Sequence, residues 1–220
     1  MQDLINFITD PSNNYLGHTS DYLKLCIAAI VLAIVISVPL GIGVARSPLA
    51  SFVAVNVSGL LRAIPVLAFL AAAYPYLGFG FRPSLVALVI LGIPPILLNT
   101  YTGIRGIDPA VIDAARGMGM TGRQIITRIQ TPLVLPVIAA GVRTSAVQII
   151  ATATLAAIIG GGGYGEYIYL GLREFDNTQL LAGSLPVVIL ALLVEFSLGW
   201  LQRAITPAGL RVQAVKQVAR

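Results

Sequence analysis

The chain has 220 residues, 57% of them hydrophobic and only 10% charged, with a formal net charge of +5 and a mean hydropathy of +0.88. Soluble domains carry roughly a quarter of their residues as charges to build a polar shell, so this composition excludes a water-soluble globular protein and makes lipid the solvent. One cysteine, Cys26, and one histidine leave no intrachain disulfide and no metal-ligand spacing, so neither redox nor metal chemistry is expected on this chain.

The expectation is an all-α integral membrane protein. Residues 1–22 read as an extracytoplasmic N-terminal segment, in which Leu4, Ile5, Phe7 and Ile8 among Asp and Asn suit a short helix on the outer interface. No basic stretch leads into an apolar core there, which reads against a signal peptide. A helix needs about 20 apolar residues to cross the hydrocarbon. The first candidate, Leu25 to Ala45, is free of charge. The second, about 50–80, is interrupted by Arg62 and kinked or broken by Pro65 and Pro75, with irregular backbone shielded by neighbouring helices. Ser84 to Tyr101 is the third, about Leu133 to Ile159 the fourth with Arg143 inside, and about Ser184 to Ala204 the fifth with Glu195 inside. These five spans form one transmembrane domain, 23–206, followed by a basic tail, 207–220.

Short cytoplasmic loops carry the excess of Lys and Arg. With the N-terminus outside, the inner segments hold Arg46, then Arg105, Arg116, Arg123 and Arg128, then Arg203, Arg211, Lys216 and Arg220. The outer segments keep Lys24, Arg82 and Arg173 beside six carboxylates, Asp3, Asp10, Asp21, Glu166, Glu174 and Asp176. The C-terminus is therefore expected in the cytoplasm, and the pI near 9.7 reports topology rather than a nucleic-acid partner.

Between the third and fourth spans lies a polar loop, 105–132. Asp108-Pro109 is a helix start, an N-cap followed by proline at the first helical position, and the helix is expected to run to about Arg116. Val111, Ile112 and Ala115 share an apolar side, while Ala114 and Ala115 keep the surface thin enough for another protein to approach. Gly117 and Gly119 then break the helix, Thr121 caps a second one through Ile129, and Pro132 opens the fourth span. Gly117-Met118-Gly119-Met120-Thr121-Gly122 matches Gly-x-Gly-x-x-Gly, but a helical pattern precedes it and no Asp or Glu follows from Ala114 to Gly165 to hold a ribose. The glycine cluster Gly160 to Gly165 lacks the Gly-Lys-Ser/Thr of a phosphate loop. With no such signature, any ATP hydrolysis belongs to a separate subunit.

Asp113-Ala114-Ala115, three residues, Gly119, nine residues, Ile129, one residue, Thr131-Pro132 resembles the cytoplasmic coupling loop of the permease subunits of binding-protein-dependent ABC importers. In that pattern Glu stands where Asp113 does and Leu where Thr131 does. Arg62-Ala63-Ile64-Pro65, Gly92 to Tyr101 and Val147 to Ala156 look like the permeases of the osmoprotectant subfamily, which moves glycine betaine, carnitine, choline and related quaternary ammonium compounds. The resemblance implies a five-span permease core with a coupling helix between the third and fourth spans, in the cell membrane of a prokaryote. It implies coupling residues Asp113, Ala114, Ala115, Gly117, Gly119, Ile129 and Pro132. Its implied partners are a second permease copy or paralogue, two ATPase subunits that carry ATP and Mg, and an extracytoplasmic substrate-binding protein. No cofactor is expected on this chain itself, and the aromatic cage for the cation belongs to the binding protein.

Intramembrane charges cost about 2.5 to 3.5 kcal/mol each on insertion scales and face the protein interior. Arg143 and Glu195 each lie roughly 15 Å from the inner end of their spans at 1.5 Å per residue, so Glu195 is expected to pair with Arg143, with Arg62 as the alternative. Asn99, Gln148 and Thr152 are candidate pathway residues. Gln148 and Thr152 share one helix face, and small polar groups offer the weak contacts that a quaternary ammonium, which has no N–H to donate, can slide past. Three other readings compete: a permease for methionine or another amino acid, a channel or facilitator independent of ATP, and, weakest, a membrane enzyme, for which no nucleophile-base set is visible.

Overall fold

The computed structural model describes residues 2–207, so of the tail at 207–220 all but Pro207 lies outside the described residues, Arg211, Lys216 and Arg220 included. Every regular element among the described residues is helical. Helix α1 (Gln2–Thr9) leads into a 3-10 turn capped by Asp10. The Ser12 amide at 2.9 Å and its hydroxyl at 2.8 Å donate to the Asp10 carboxylate and hold that carboxyl below its ordinary range. Helix α2 (Tyr15–Val44) starts well before the charge-free run at Leu25. Its polar first turns are accommodated by their own backbone, with the Thr19 hydroxyl donating to the Tyr15 carbonyl at 2.8 Å and the Ser20 hydroxyl to that of Gly17 at 2.9 Å. Residue 22 thus lies inside a continuous helix.

The second expected span is a pair of helices, α3 (Pro48–Ala63) and α4 (Val66–Leu77), bent by 91°. Proline keeps its predecessor out of the helical region, and Ile64 is accordingly extended at φ −73°, ψ 118°. Pro75 sits in the last turn of α4 and does not interrupt it. Helix α5 (Phe81–Arg105) follows, then the loop helices α6 (Pro109–Gly117) and α7 (Gly122–Ile125), the span helix α8 (Thr131–Ala153), α9 (Tyr164–Glu174) and α10 (Asn177–Ile205).

Close approach of small residues sets the packing, as expected where lipid supplies no hydrophobic drive between helices. A Cβ on Gly92 would lie 2.8 Å from both Ile149 and Ser145 and 3.0 Å from Ala33; one on Gly41 would lie 2.7 Å from Thr100. Ala33 therefore meets Gly92 and, two turns on, Gly41 meets Thr100, which makes α2 and α5 parallel. A Cβ on Gly141 would lie 2.7 Å from Asn99, so α8 runs antiparallel to α5. The core between these three helices holds Leu25, Ala29, Ala33, Ile96, Ile149 and Ile150, all buried. Because α2 and α5 run the same way, the bent pair must return the chain across the membrane. Four helices are long and apolar enough to cross it alone, and the pair makes five.

An aromatic cap closes the end opposite the loop. Tyr15 stacks on Tyr167 at 5.6 Å, Phe7 meets Tyr167 edge-on at 5.5 Å, and the Tyr167 hydroxyl donates to the Asn13 carbonyl at 2.6 Å. Burial pushes the Tyr167 phenol up to about 12, which keeps it a neutral donor. The glycine cluster is a packing bend: Gly160, Gly162 and Gly163 take positive φ, and a Cβ on Gly165 would lie 2.0 Å from the Thr154 carbonyl oxygen.

Candidate functional site

The loop at 105–132 folds as two capped helical turns. The Asp108 carboxylate accepts from the Ala110 amide at 2.9 Å at the start of α6. Thr121 and Gln124 form a reciprocal cap at the start of α7, the Thr121 amide donating to the Gln124 side chain at 2.8 Å. Between them Gly119 sits at φ +79° and its amide donates to the Arg116 carbonyl at 2.9 Å. Gly119 alone makes the turn; Gly117, expected to share the break, is the last residue of α6.

Ala115 is fully buried and Ile112 half-buried, so they hold α6 against the protein. Val111, expected on that inner side, is 40% exposed. The outward stripe is Val111, Ala114 and Met118, at helical spacing, with Met118 74% exposed. Asp113 stands beside this stripe, 3.7 Å from Arg116 in an exposed i,i+3 pair. Such a pair adds little stability in water, which leaves the Asp113 carboxylate free to change partners.

The second loop helix does not stop before the fourth span. Helix α7 passes through a π-helical turn, Ile126–Gln130, directly into α8, so helix is continuous from Gly122 to Ile159. Pro132 is therefore the second residue of α8, inside a helix that is already running. Its ring would clash with the carbonyl four residues back, and the widened turn around Arg128 and Ile129 accommodates it, with the Thr131 amide reaching five residues back to Ile126. Beside this turn a cleft of about 410 Å³ is lined by Ile42, Arg46, Ile104, Gln130 and Leu135.

Within the spans, Arg143 of α8 and Glu195 of α10 are joined by an ion pair, both half-buried. Arg62 is not Glu195's partner: it is exposed in the last turn of α3 and makes no ion pair among the described residues. Gln148 and Thr152 are half-buried one turn apart on α8, with no side-chain hydrogen bond among the described residues. Asn99 is committed elsewhere, since its amide donates to the Pro95 carbonyl at 2.8 Å and its Cβ faces Gly141. That places Asn99 in the α5–α8 contact rather than with Gln148 and Thr152.

Over residues 34–208 the sequence matches the family described as binding-protein-dependent transport system inner membrane component. The chain belongs to that family. This permease subunit is 42% identical over 211 residues to a carnitine transport permease protein of Listeria monocytogenes, covering 96% of this chain and 97% of that one. It is 37% identical over 219 residues, 100% of each chain, to a glycine betaine/carnitine/choline transport system permease protein of Bacillus subtilis strain 168. Among solved structures it is similar to the methionine ABC transporter in an inward-facing conformation, with a TM-score of 0.77 over 88% of this chain and 96% of that one at 21% identity. The likeness to the methionine transporter is one of fold. A multi-pass membrane permease explains both the apolar composition and the one polar loop.

Sequence reading missed helix α9 of this permease, although Tyr164, Tyr167, Ile168 and Gly171 carry the i, i+3, i+4, i+7 spacing of a one-sided helix. It also missed Gly199, one turn from Glu195, where an added Cβ would lie 3.1 Å from the Arg143 guanidinium carbon.

Proposed function

We propose that this permease forms, with a second copy or a paralogue, the translocation pathway of an ATP-driven importer for quaternary ammonium osmoprotectants such as glycine betaine, carnitine or choline. The observation that carries the substrate class is the 42% identity to the carnitine permease over almost the whole of both chains. The methionine alternative has only a shared fold at 21% identity in its favour.

The loop end, with Arg46, Arg105, Arg116, Arg123 and Arg128, is the cytoplasmic side on the Lys/Arg distribution. There the stripe of Val111, Ala114 and Met118, with Asp113 beside it, docks on an ATPase subunit that holds ATP and Mg. Gly119 sets the angle of that stripe. When the ATPase subunits close, the displacement passes from α6 to α7 and then along the unbroken helix into α8, which carries Arg143, Gln148 and Thr152. The cleft beside the π turn gives that segment room to shift. At the opposite end the aromatic cap and the exposed rings of Tyr76 and Phe79 face the substrate-binding protein. The Arg143–Glu195 pair fixes α8 against α10 so that the two move together.

Uptake competition in cells that depend on this transporter separates the substrate readings. Unlabelled carnitine or choline is expected to suppress uptake of labelled glycine betaine, and methionine to leave it unchanged. Suppression by methionine alone would transfer the assignment to the amino-acid class. Uptake that persists after ATP depletion would instead mark a facilitator.

A further inference from the structure

The unusual charge of this molecule is Arg62. Leu61 and Ile64 line a cleft with Ala87, Ile90 and Leu91 of α5, which places this turn about 9 to 15 Å along α5 from its first residue at 1.5 Å per residue, inside the membrane. Arg62 lies between them in sequence yet is exposed, on the side of α3 turned away from its own chain. It stands in the last turn of α3, two residues before the extended Ile64 at the 91° bend. The negative end of the α3 dipole offsets only part of the cost of a cation at this depth, so a stable Arg62 needs water or an anion.

No side-chain carboxylate of the chain supplies that anion. Of its nine carboxylates, Asp3, Asp10, Asp21, Glu166, Glu174 and Asp176 belong to the cap end and Asp108 and Asp113 to the loop. Glu195 alone is at mid-span, and Arg143 holds it. A second copy of the chain would bring the same set, with the same Glu195 already paired. The chain and its copy therefore have no spare side-chain carboxylate at this depth, which leaves water, a paralogous subunit or a ligand to meet Arg62.

Given the proposed function, on which this step rests, we infer that Arg62 lines the translocation path at the bend of α3 and α4 and receives the carboxylate of a zwitterionic substrate such as glycine betaine or carnitine. The guanidinium matches a carboxylate through two parallel N–H donors. Choline, a cation with no carboxylate, has nothing for Arg62 to hold.

The test uses the complete transporter, this permease with its ATPase and binding protein, reconstituted in liposomes, and reads substrate carried per ATP hydrolysed. Arg62→Gln is expected to lower glycine betaine carried per ATP at least tenfold, and Arg62→Lys to retain a third or more of the wild-type value. Choline carried per ATP is expected to stay within twofold in both variants. Betaine per ATP unchanged in Arg62→Gln overturns the inference, as does an equal fall for betaine and choline. Failure of the wild-type complex to carry any quaternary ammonium compound would instead sink the functional reading beneath it.

Discussion

The Arg143 guanidinium of α8 lies against Gly199 of α10 and donates to Glu195 one turn away. Gly199 thus lets the guanidinium approach the α10 backbone closely: even a Cβ there would press on it at 3.1 Å. The pair is half-buried in the single chain, so its contribution is greatest where lipid or a second subunit covers it.

A double-mutant cycle measures this coupling. Arg143→Gln and Glu195→Gln are each expected to lower the amount of assembled transporter, and the double variant to lose less than the two single losses combined, because no charge is left stranded. Gly199→Leu should reproduce the single-variant defect by displacing the guanidinium. Strictly additive losses, read as assembled complex after detergent extraction, would show the two side chains to be independent.

Gly119→Val places a β-branched residue at φ +79°, a conformation that costs L residues about 1–2 kcal/mol. Nothing lies within 4 Å of a Cβ there, so the strain acts on the turn and not on packing. The expected result is loss of uptake and weaker co-purification of the ATPase, with Gly119→Asn much milder. Normal uptake by the valine variant would remove Gly119 from the coupling path.

The outward stripe of α6 predicts that Met118→Glu and Ala114→Gln impair ATPase binding, whereas Ile112→Val does not. Asp113→Lys reverses the charge beside the stripe and is expected to act in the same direction. Co-elution of the ATPase in mild detergent gives the readout. If the Met118 and Ala114 variants retain it fully, the docking face lies elsewhere.

Topology is testable with single cysteines in a Cys26→Ala background. Thr121 is exposed in the loop, and Phe175, 91% exposed after α9, marks the opposite end. In intact cells an impermeant thiol reagent should label Phe175→Cys and spare Thr121→Cys. The reverse pattern inverts the orientation.

Packing supplies a stability contrast. Gly92→Ala drives a methyl within 2.8 Å of Ile149 and Ser145, an overpacking that typically costs about 1–3 kcal/mol. Gly43 has open space around it, and Gly→Ala in a helix gains about 0.5–1 kcal/mol. Thermal unfolding of the purified permease should therefore fall for the first variant and hold or rise for the second.

The parts legible in the sequence were those with local causes. Asp108-Pro109 and Thr121 set helix starts through caps a few residues away, and Ile64-Pro65 broke the second span because proline constrains its own neighbour. What was not legible depends on distant partners. Helix α9 packs mainly on the following α10, where Gly183 meets Tyr164 and Ile168 and Gly171 meets Leu180, and its aromatic face adds Phe7, Tyr15 and Tyr22 from the start of the chain; at eleven residues it is too short to register as a span. Val111 turned outward because tertiary packing selected Ile112 and Ala115 as the inner face, a choice that a helix of nine residues does not dictate by itself. Pro132 continued a helix rather than opening one because a π turn absorbed its clash. Asn99 looked free in the sequence, yet its amide is taken by the Pro95 carbonyl one turn back, and the glycine that its Cβ faces, Gly141, lies on another helix.

The central claim is that this chain is the pathway of an ATP-driven, binding-protein-dependent importer of quaternary ammonium compounds. Its most direct test is uptake of labelled carnitine or glycine betaine into liposomes holding the purified permease and its ATPase, with the binding protein supplied outside. Accumulation is predicted only when both ATP and the loaded binding protein are present, and its loss is predicted in the Gly119→Val variant. Accumulation without ATP, or none of either substrate from an assembled complex that hydrolyses ATP, would contradict the account.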